Sequence, residues 1–366
     1  MPEANRRRMF QSIRVTGYRG FSRYAMGDLG RVNLLVGRNN SGKTAVLEAA
    51  YVLGAAGDPA ALWHICNRRG ERVPNDPDRQ QRDVEAAIAH LFAGHDLVID
   101  QSFSVEGTGS RSHQAVTVTV EDLSTGETSL LPSLSLRIGA TAVNAVHHVP
   151  LTREGGLELS RAELLSRPPG RPSRERPANI YFISTESMSG NDLIRHWDRI
   201  QLSPDEELVH RAMRFVDPSV ERIRSFAAGG AFGPRGGFIV KRTTDSRPVP
   251  IGSLGDGAWR MLTLAIMLTQ CAGGMICIDE IDTGLHHTVM ADMWRLIQAA
   301  AKEFDIQVFA STHSYDCVHS LATICRDTED ADNEVTIQRI EAGKPAATPF
   351  SEAEIRIAAE RHIEIR

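Results

Sequence analysis

Residues 37–44 read GRNNSGKT and fit the pattern G-x-x-x-x-G-K-[ST]. No other stretch constrains the fold as strongly, because the pattern has meaning only between a strand and a helix. Both flanks comply. Residues 32–36 (VNLLV) are a short apolar run of the kind a buried strand requires. Residues 45–54 (AVLEAAYVLG) are rich in helix formers and end on Gly54, a helix-stop residue. Gly37 and Gly42 allow a tight backbone turn, so that amide groups along Asn39, Asn40, Ser41, Gly42 and Ala45 can face phosphate oxygens at a positive helix end. In that geometry Lys43 bridges the β- and γ-phosphates of a nucleotide and Thr44 places its hydroxyl on Mg²⁺.

A second constellation lies more than two hundred residues downstream. Residues 275–280 (MICIDE) are an apolar strand ending in two carboxylates, at the edge where open α/β sheets bind ligands. Asp279 is expected to hold Mg²⁺ through water, and Glu280 to polarise the attacking water as a general base. Residues 286–301 follow with helical spacing and a buried stripe of Met290, Met293, Trp294 and Ile297. Residues 306–310 (IQVFA) form another strand, ending in Ser311, Thr312 and His313, where a histidine can donate to a γ-phosphate. His286 and His287 are adjacent, which is poor spacing for a metal pair. Residues 253–260 (SLGDGAWR) make a glycine turn opening an apolar helix over 261–271, an anion site in principle. The phosphate loop already has its own helix. The turn with Ser253, Gly255, Asp256 and Gly257 is therefore expected to act in trans, on a nucleotide held by another subunit.

The order GRNNSGKT, SLGDG, MICIDEIDTGL, STHS resembles the ATP-binding-cassette ATPase heads, in particular their OLD, RecF and SMC-like branch. The resemblance covers residues 11–50 and 235–340. It implies an α/β P-loop NTPase fold, an ABC/SMC-type ATPase head with a β-rich lobe and a short helical insertion, and two heads that sandwich two ATP molecules. It also implies that Lys43 and Thr44 bind ATP and Mg²⁺, that Asp279 holds the metal and that Glu280 is the catalytic base. Asp282 falls in the loop that crosses the dimer seam, and His313 becomes the γ-phosphate switch. Two departures stand out. Leu254-Gly255-Asp256-Gly257 replaces the usual Leu-Ser-x-Gly, so Gly255 stands where a serine hydroxyl would be, and no glutamine loop can be placed. The stretch after His313 is short for the Toprim nuclease that OLD-like chains often carry. The chain is similar to stand-alone OLD-like ATPases of bacterial anti-phage systems, such as the ATPase component of the PARIS system. That similarity implies a homodimer, or a larger even-numbered assembly, controlling a separate effector, with DNA or a phage component as a further partner. A RecF-like DNA-repair ATPase is the alternative.

The remainder is less specific. The expected division is an N-terminal lobe over 1–185, a short helical insertion over 186–235 and a C-terminal lobe over 236–366. Residues 55–82 read as loop, 84–92 as helix, and 96–105, 114–121 and 134–138 as strands, with a turn at 124–126. Residues 150–177, rich in Pro and Arg, are either a mobile loop or a contact surface. Residues 179–184 read as strand, 190–226 as helical and 238–251 as a hairpin. A strand over 334–340 and a helix over 351–363 close the chain. Tyr18 and Phe21 are each either base-stacking or core aromatics, and Arg6, Arg7 and Arg8 either a solvated tail or a phosphate-contacting arm. A net charge of −5 argues against indiscriminate nucleic-acid binding through bulk charge. Five cysteines without a C-x-x-C pair suit a reducing cytoplasm, and Cys271, Cys277, Cys317 and Cys325 read as core residues. The N-terminal stretch lacks a secretory h-region, and no run is apolar enough to suggest a membrane span.

Overall fold

The computed structural model describes residues 9–74, 84–109, 113–123, 133–166, 179–186, 188–226, 237–327, 334–361 and 363–365. The chain forms two compact units, each discontinuous in sequence. One comprises residues 1–29, 40–180 and 340–348, and the other 30–39, 181–339 and 349–366. Strands and helices are numbered in chain order.

The first unit is built on a six-stranded antiparallel sheet in the order β2-β1-β5-β6-β7-β8. Its strands are β1 (Ser12–Tyr18), β2 (Phe21–Met26), β5 (Ser102–Thr108), β6 (His113–Asp122), β7 (Leu134–Ala140) and β8 (Ala145–Pro150). Alternation explains the sheet: Val116, Val118 and Val120 of β6 are buried, while the threonines between them are part-exposed. Against β1, β5 and β6 lies α1 (Lys43–Gly54), followed by α2 (Pro59–Arg68).

The second unit holds the other six-stranded sheet, in the order β10-β14-β15-β3-β16-β17. These strands are β3 (Val32–Val36), β10 (Ile180–Ile183), β14 (Met275–Ile278), β15 (Gln307–Ser311), β16 (Val335–Arg339) and β17 (Thr348–Phe350). β14, β15, β3 and β16 run parallel. β3, β14 and β15 are buried along their whole length, as continuous apolar strands of a covered parallel sheet should be. Helices α4 (Gly190–Trp197), α5 (Glu206–Val216), α6 (Asp256–Gln270), α7 (His287–Glu303), α8 (Tyr315–Asp327) and α9 (Glu352–Glu360) complete this unit. The expected stripe of α7 is buried, with Met293, Trp294 and Ile297 fully so.

Several expectations are corrected. Residues 55–82 are not all loop. Asp58 caps α2 by accepting from the Ala60 N–H at 2.8 Å, and Pro59 occupies the first helical turn. Residues 84–92 are not an α-helix but β4 (Glu85–Ala87) followed by a 3₁₀ turn (Ile88–Leu91). Pairing of β4 with β9 (Gly156–Glu158) overrides the helical spacing there. α3 (Leu159–Ser166) then occupies part of the Pro/Arg-rich stretch, whose residues 167–178 lie outside the described residues. The helical reading of 190–226 stops at Val216: β11 (Val220–Ser225) pairs with β12 (Phe238–Arg242), which pairs with β13 (Val249–Pro250). The strand expected over 96–105 begins only at Ser102. Arg6, Arg7, Arg8 and the turn at 124–126 also fall outside the described residues.

Candidate functional site

In the second unit the parallel strands β3, β14 and β15 end at one edge, and the loop beginning at Gly37 leaves from it. Two residues past β14 stands Glu280, in the left-handed region with φ of +42°. That conformation costs a non-glycine residue about 1 kcal/mol and persists only if the surroundings hold it. They do so from two sides. The Glu280 N–H donates to Ser311 Oγ at 2.9 Å, and the Ser311 hydroxyl donates to Asp279 Oδ1 at 2.6 Å. On the other side Arg260 of α6 donates through Nη2 to the carbonyls of Asp279 (3.1 Å) and Glu280 (3.0 Å). Its Nη1 donates to the Ser184 carbonyl at 2.9 Å. Burial lowers the Arg260 pKa to about 10, against the opposing influence of Asp282, Asp279 and Glu280.

The two carboxylates have different environments. Asp279 is 7 % exposed and locked by Ser311. The Glu280 side chain is 38 % exposed, with its Oε1 3.2 Å from His313 Nδ1. The buried, hydrogen-bonded acid suits a fixed metal-side role. The open one, with a basic neighbour, can reach water. Asp282 accepts a hydrogen bond from Thr312 Oγ1 at 2.6 Å, and Thr312 Oγ1 in turn accepts from the Ser314 N–H at 3.0 Å. The glycine turn packs on the same segment: a Cβ on Gly257 would stand 3.2 Å from the Gly284 carbonyl oxygen. Gly255, at φ +86°, faces open space, as does Gly252 near Ser253. Asp256 sits in the first turn of α6. His286 caps α7 through its ring, accepting from the Thr288 N–H at 3.5 Å, a structural use.

In the first unit α1 starts at Lys43 after Gly42, which has φ +99° and lends the helix no side-chain cap. Uncapped amide groups at a helix start favour an anion. Two further observations fit a phosphate group. Ser41 is 6 % exposed and its Oγ has no hydrogen-bond partner, an orphaned buried hydroxyl beside the helix start. The Phe21 ring lies where a Gly42 side chain would be, so residue 42 must be glycine. Phe21 also lines a cleft of about 390 Å³ with Arg23, Asn40, Ser41 and Lys344. Tyr18 is instead a core residue, fully buried and edge-on to Phe103 at 5.1 Å. Thr44 and Ala45 occupy the first turn of α1. Among the described residues no group of three His, Cys, Asp or Glu side chains stands ready to hold a metal.

Sequence reasoning quoted Ser311 and Arg260 without a role for either. Nothing local marks them: the partners of Arg260 lie 19, 20 and 76 residues away. It also missed the buried ion cluster behind the loop helix. Glu48 of α1 is fully buried and meets Arg19 Nε at 2.8 Å, Arg69 Nε at 2.8 Å and Arg68, while Arg19 reaches Glu71 at 2.7 Å. Burial alone would lower the Arg19 pKa, but Tyr18, Glu71 and Glu48 together raise it.

Residues 173–316 match the family described as "AAA domain, putative AbiEii toxin, Type IV TA system". That stretch includes the glycine turn, β14 and β15, but not residues 37–44. A Helicobacter pylori (strain ATCC 700392 / 26695) protein named "ATP/GTP phosphatase" is 21 % identical over 351 residues, spanning 88 % of this chain and 90 % of that one. Matches among solved structures include an SMC head bound to the C-winged helix domain of ScpA (12 % identity, 93 % and 97 % of the two chains, TM-score 0.48). The Thermotoga maritima SMC head domain matches at 12 % identity over 93 % and 98 %, with TM-score 0.45. The chain's own strand order, the glycine loop after β3 and the acid-tipped β14, together with the matched AAA domain model, make the fold an α/β P-loop NTPase.

Proposed function

We propose that this chain is a magnesium-dependent ATPase that works as a homodimer, or a larger even-numbered assembly, and switches a separate effector protein. The observation that carries the reading is the division of labour at the strand edge: Asp279 buried and locked by Ser311, Glu280 open and beside His313. Gly37, Asn39, Asn40, Ser41, Gly42, Lys43, Thr44 and Ala45 would hold the nucleotide phosphates, and Thr44 with Asp279 would hold the magnesium. Magnesium, when bound, neutralises charge on the β- and γ-phosphates. Glu280 accepts a proton from the water whose oxygen bonds to the γ-phosphorus as the bridging P–O bond breaks. His313 pairs with Glu280 in the structure. In the reaction we assign it a hydrogen bond to the γ-phosphate, with a turn of the ring away from Glu280. The turn of Ser253, Gly255, Asp256 and Gly257 is assigned to the nucleotide of a second copy, with the Gly255 N–H donating within the turn to the Gly252 carbonyl at 3.2 Å, and Asp282 is assigned to the seam.

The effector is a nuclease or toxin of a bacterial anti-phage system, in the manner of the stand-alone OLD-like ATPases. The matched family, described as a putative AbiEii toxin of a Type IV TA system, supports a defence role over DNA repair. The setting is the cytoplasm, which suits five buried cysteines outside any disulfide. No described helix is long and apolar enough to cross a membrane.

The test is the native mass of tagged Glu280→Gln protein from its own host, with and without ATP and Mg²⁺. The expected result is an even-numbered assembly that forms only with ATP and carries a second protein. A monomer at saturating ATP would overturn the trans assignment. A dimer retaining DNA and no protein would replace the effector reading with the RecF-like one.

A further inference from the structure

Arg260 is placed where a hydrophobic residue would ordinarily sit. It lies on α6 between Trp259 and Met261, both buried, and is itself only 7 % exposed. A guanidinium in such a position normally pairs with a carboxylate. This one donates instead to three backbone carbonyls, of Ser184, Asp279 and Glu280. The Asp279 carbonyl belongs to the peptide that joins the acid pair, and the Glu280 carbonyl to the peptide that follows it.

The geometry explains why an arginine is needed. The carbonyls of residues 279 and 280 converge on one nitrogen of Arg260, which brings two negative dipole ends together. One cationic nitrogen between them removes that repulsion. The planar fork then reaches the Ser184 carbonyl with its other nitrogen. A lysine offers a single nitrogen and cannot span the same three oxygens. Ser311 holds the Glu280 N–H from the far side, so the Glu280 backbone is fixed at both ends. The direction of its carboxylate follows from that backbone.

Arg260 also stands one helical turn beyond Asp256. The first turn of α6 rests on the loop that follows the acid pair, with Gly257 against the Gly284 carbonyl. A rigid helix start thus touches the acid segment at two points, residue 284 and residues 279–280.

We propose that Arg260 is a positioning residue for hydrolysis: by clamping the carbonyls of Asp279 and Glu280 it sets the aim of the Glu280 carboxylate and ties that aim to the glycine turn at the start of α6. The proposal rests on the ATPase reading. It assigns Arg260 no contact with nucleotide, so its loss should affect turnover rather than binding.

The experiment is a double-mutant cycle between Arg260→Lys and Glu280→Gln, reading kcat and KM for ATP hydrolysis and the affinity for a fluorescent, non-hydrolysable ATP analogue. Arg260→Lys is expected to lower kcat at least tenfold while analogue affinity stays within about twofold. In the Glu280→Gln background the same substitution is expected to change the residual rate by less than twofold, because both act through one carboxylate. An equal proportional loss in both backgrounds would overturn the proposal, as would an unchanged kcat or a parallel loss of affinity. Thermal unfolding establishes that each variant is folded. Should Arg260→Lys not fold, Arg260→Gln, whose amide still donates to carbonyls, is read by the same criteria. Wild-type protein that hydrolyses ATP alongside an unimpaired Arg260→Lys would sink this inference alone. Wild-type protein without ATPase activity would instead sink the reading beneath it.

Discussion

The Ser311 hydroxyl does two things with one oxygen. It donates to the Asp279 carboxylate and accepts from the Glu280 N–H. Removing it leaves a buried carboxylate oxygen and a backbone N–H without those partners, at about 1–3 kcal/mol for each buried group left unsatisfied. Ser311→Ala should therefore lower stability by roughly 2 kcal/mol. It should also reduce turnover more than it reduces ATP affinity, since it loosens both acids. Urea unfolding together with steady-state kinetics would check this. Full activity with unchanged stability would mean the bridge is idle. Neither Ser311 nor Arg260 advertises its role in the sequence. A serine at a strand end and an arginine in an apolar helix acquire meaning only when β14, β15 and α6 are brought together. By contrast the strand β14 was legible, because an apolar run with terminal acids is a local pattern that can be weighed against GRNNSGKT.

At the scale of elements, the loop helix α1 is held by more than its apolar face. Glu48 is fully buried amid Arg19, Arg68 and Arg69, and those arginines come from the β1–β2 turn and the end of α2. Taking away one charge of such a cluster strands the others in low dielectric. Glu48→Gln is accordingly expected to destabilise by about 3 kcal/mol, with a lower denaturant midpoint and an unchanged slope. A midpoint that does not move would show the cluster to be solvated. Elements with strong periodicity were legible in the sequence, as α7 and β6 illustrate. Short ones were not. β4 is three residues long and exists because β9 pairs with it, which no local spacing reports. α2 was hidden differently: Asp58 and Pro59 give it a good start signal, but in a stretch dense with Gly, Pro and Asp they read as loop.

At the scale of the molecule, three histidines give folding a pH dependence of defined sign. Burial is the largest influence on His64, His196 and His210, and it lowers the pKa of each below the ordinary histidine value. Carboxylates beside His64 and His210, and Gln270 beside His196, oppose the shift without reversing it. In the window between the lowered folded values and about pH 6.5, where unfolded histidine titrates, the unfolded chain binds more protons. Stability contributed by these groups is thus complete at neutral pH and lost as pH falls through about 6.5 and below. Melting temperatures measured between about pH 8 and pH 5.5 should fall toward the acid end, and a replacement such as His210→Gln should flatten that fall. A melting temperature that rises on acidification would contradict the assignment.

The central claim is that this chain hydrolyses ATP with Lys43 at the phosphates and Glu280 as the base. Phosphate release from ATP and Mg²⁺, measured beside nucleotide binding for the wild type, Lys43→Ala and Glu280→Gln, tests it most directly. The wild type should turn over. Lys43→Ala should neither bind nor hydrolyse. Glu280→Gln should bind as the wild type does and lose a hundredfold or more in rate, as expected for about 10²–10⁴ of general-base catalysis. Hydrolysis by Glu280→Gln at the wild-type rate, or undiminished binding by Lys43→Ala, would contradict the account.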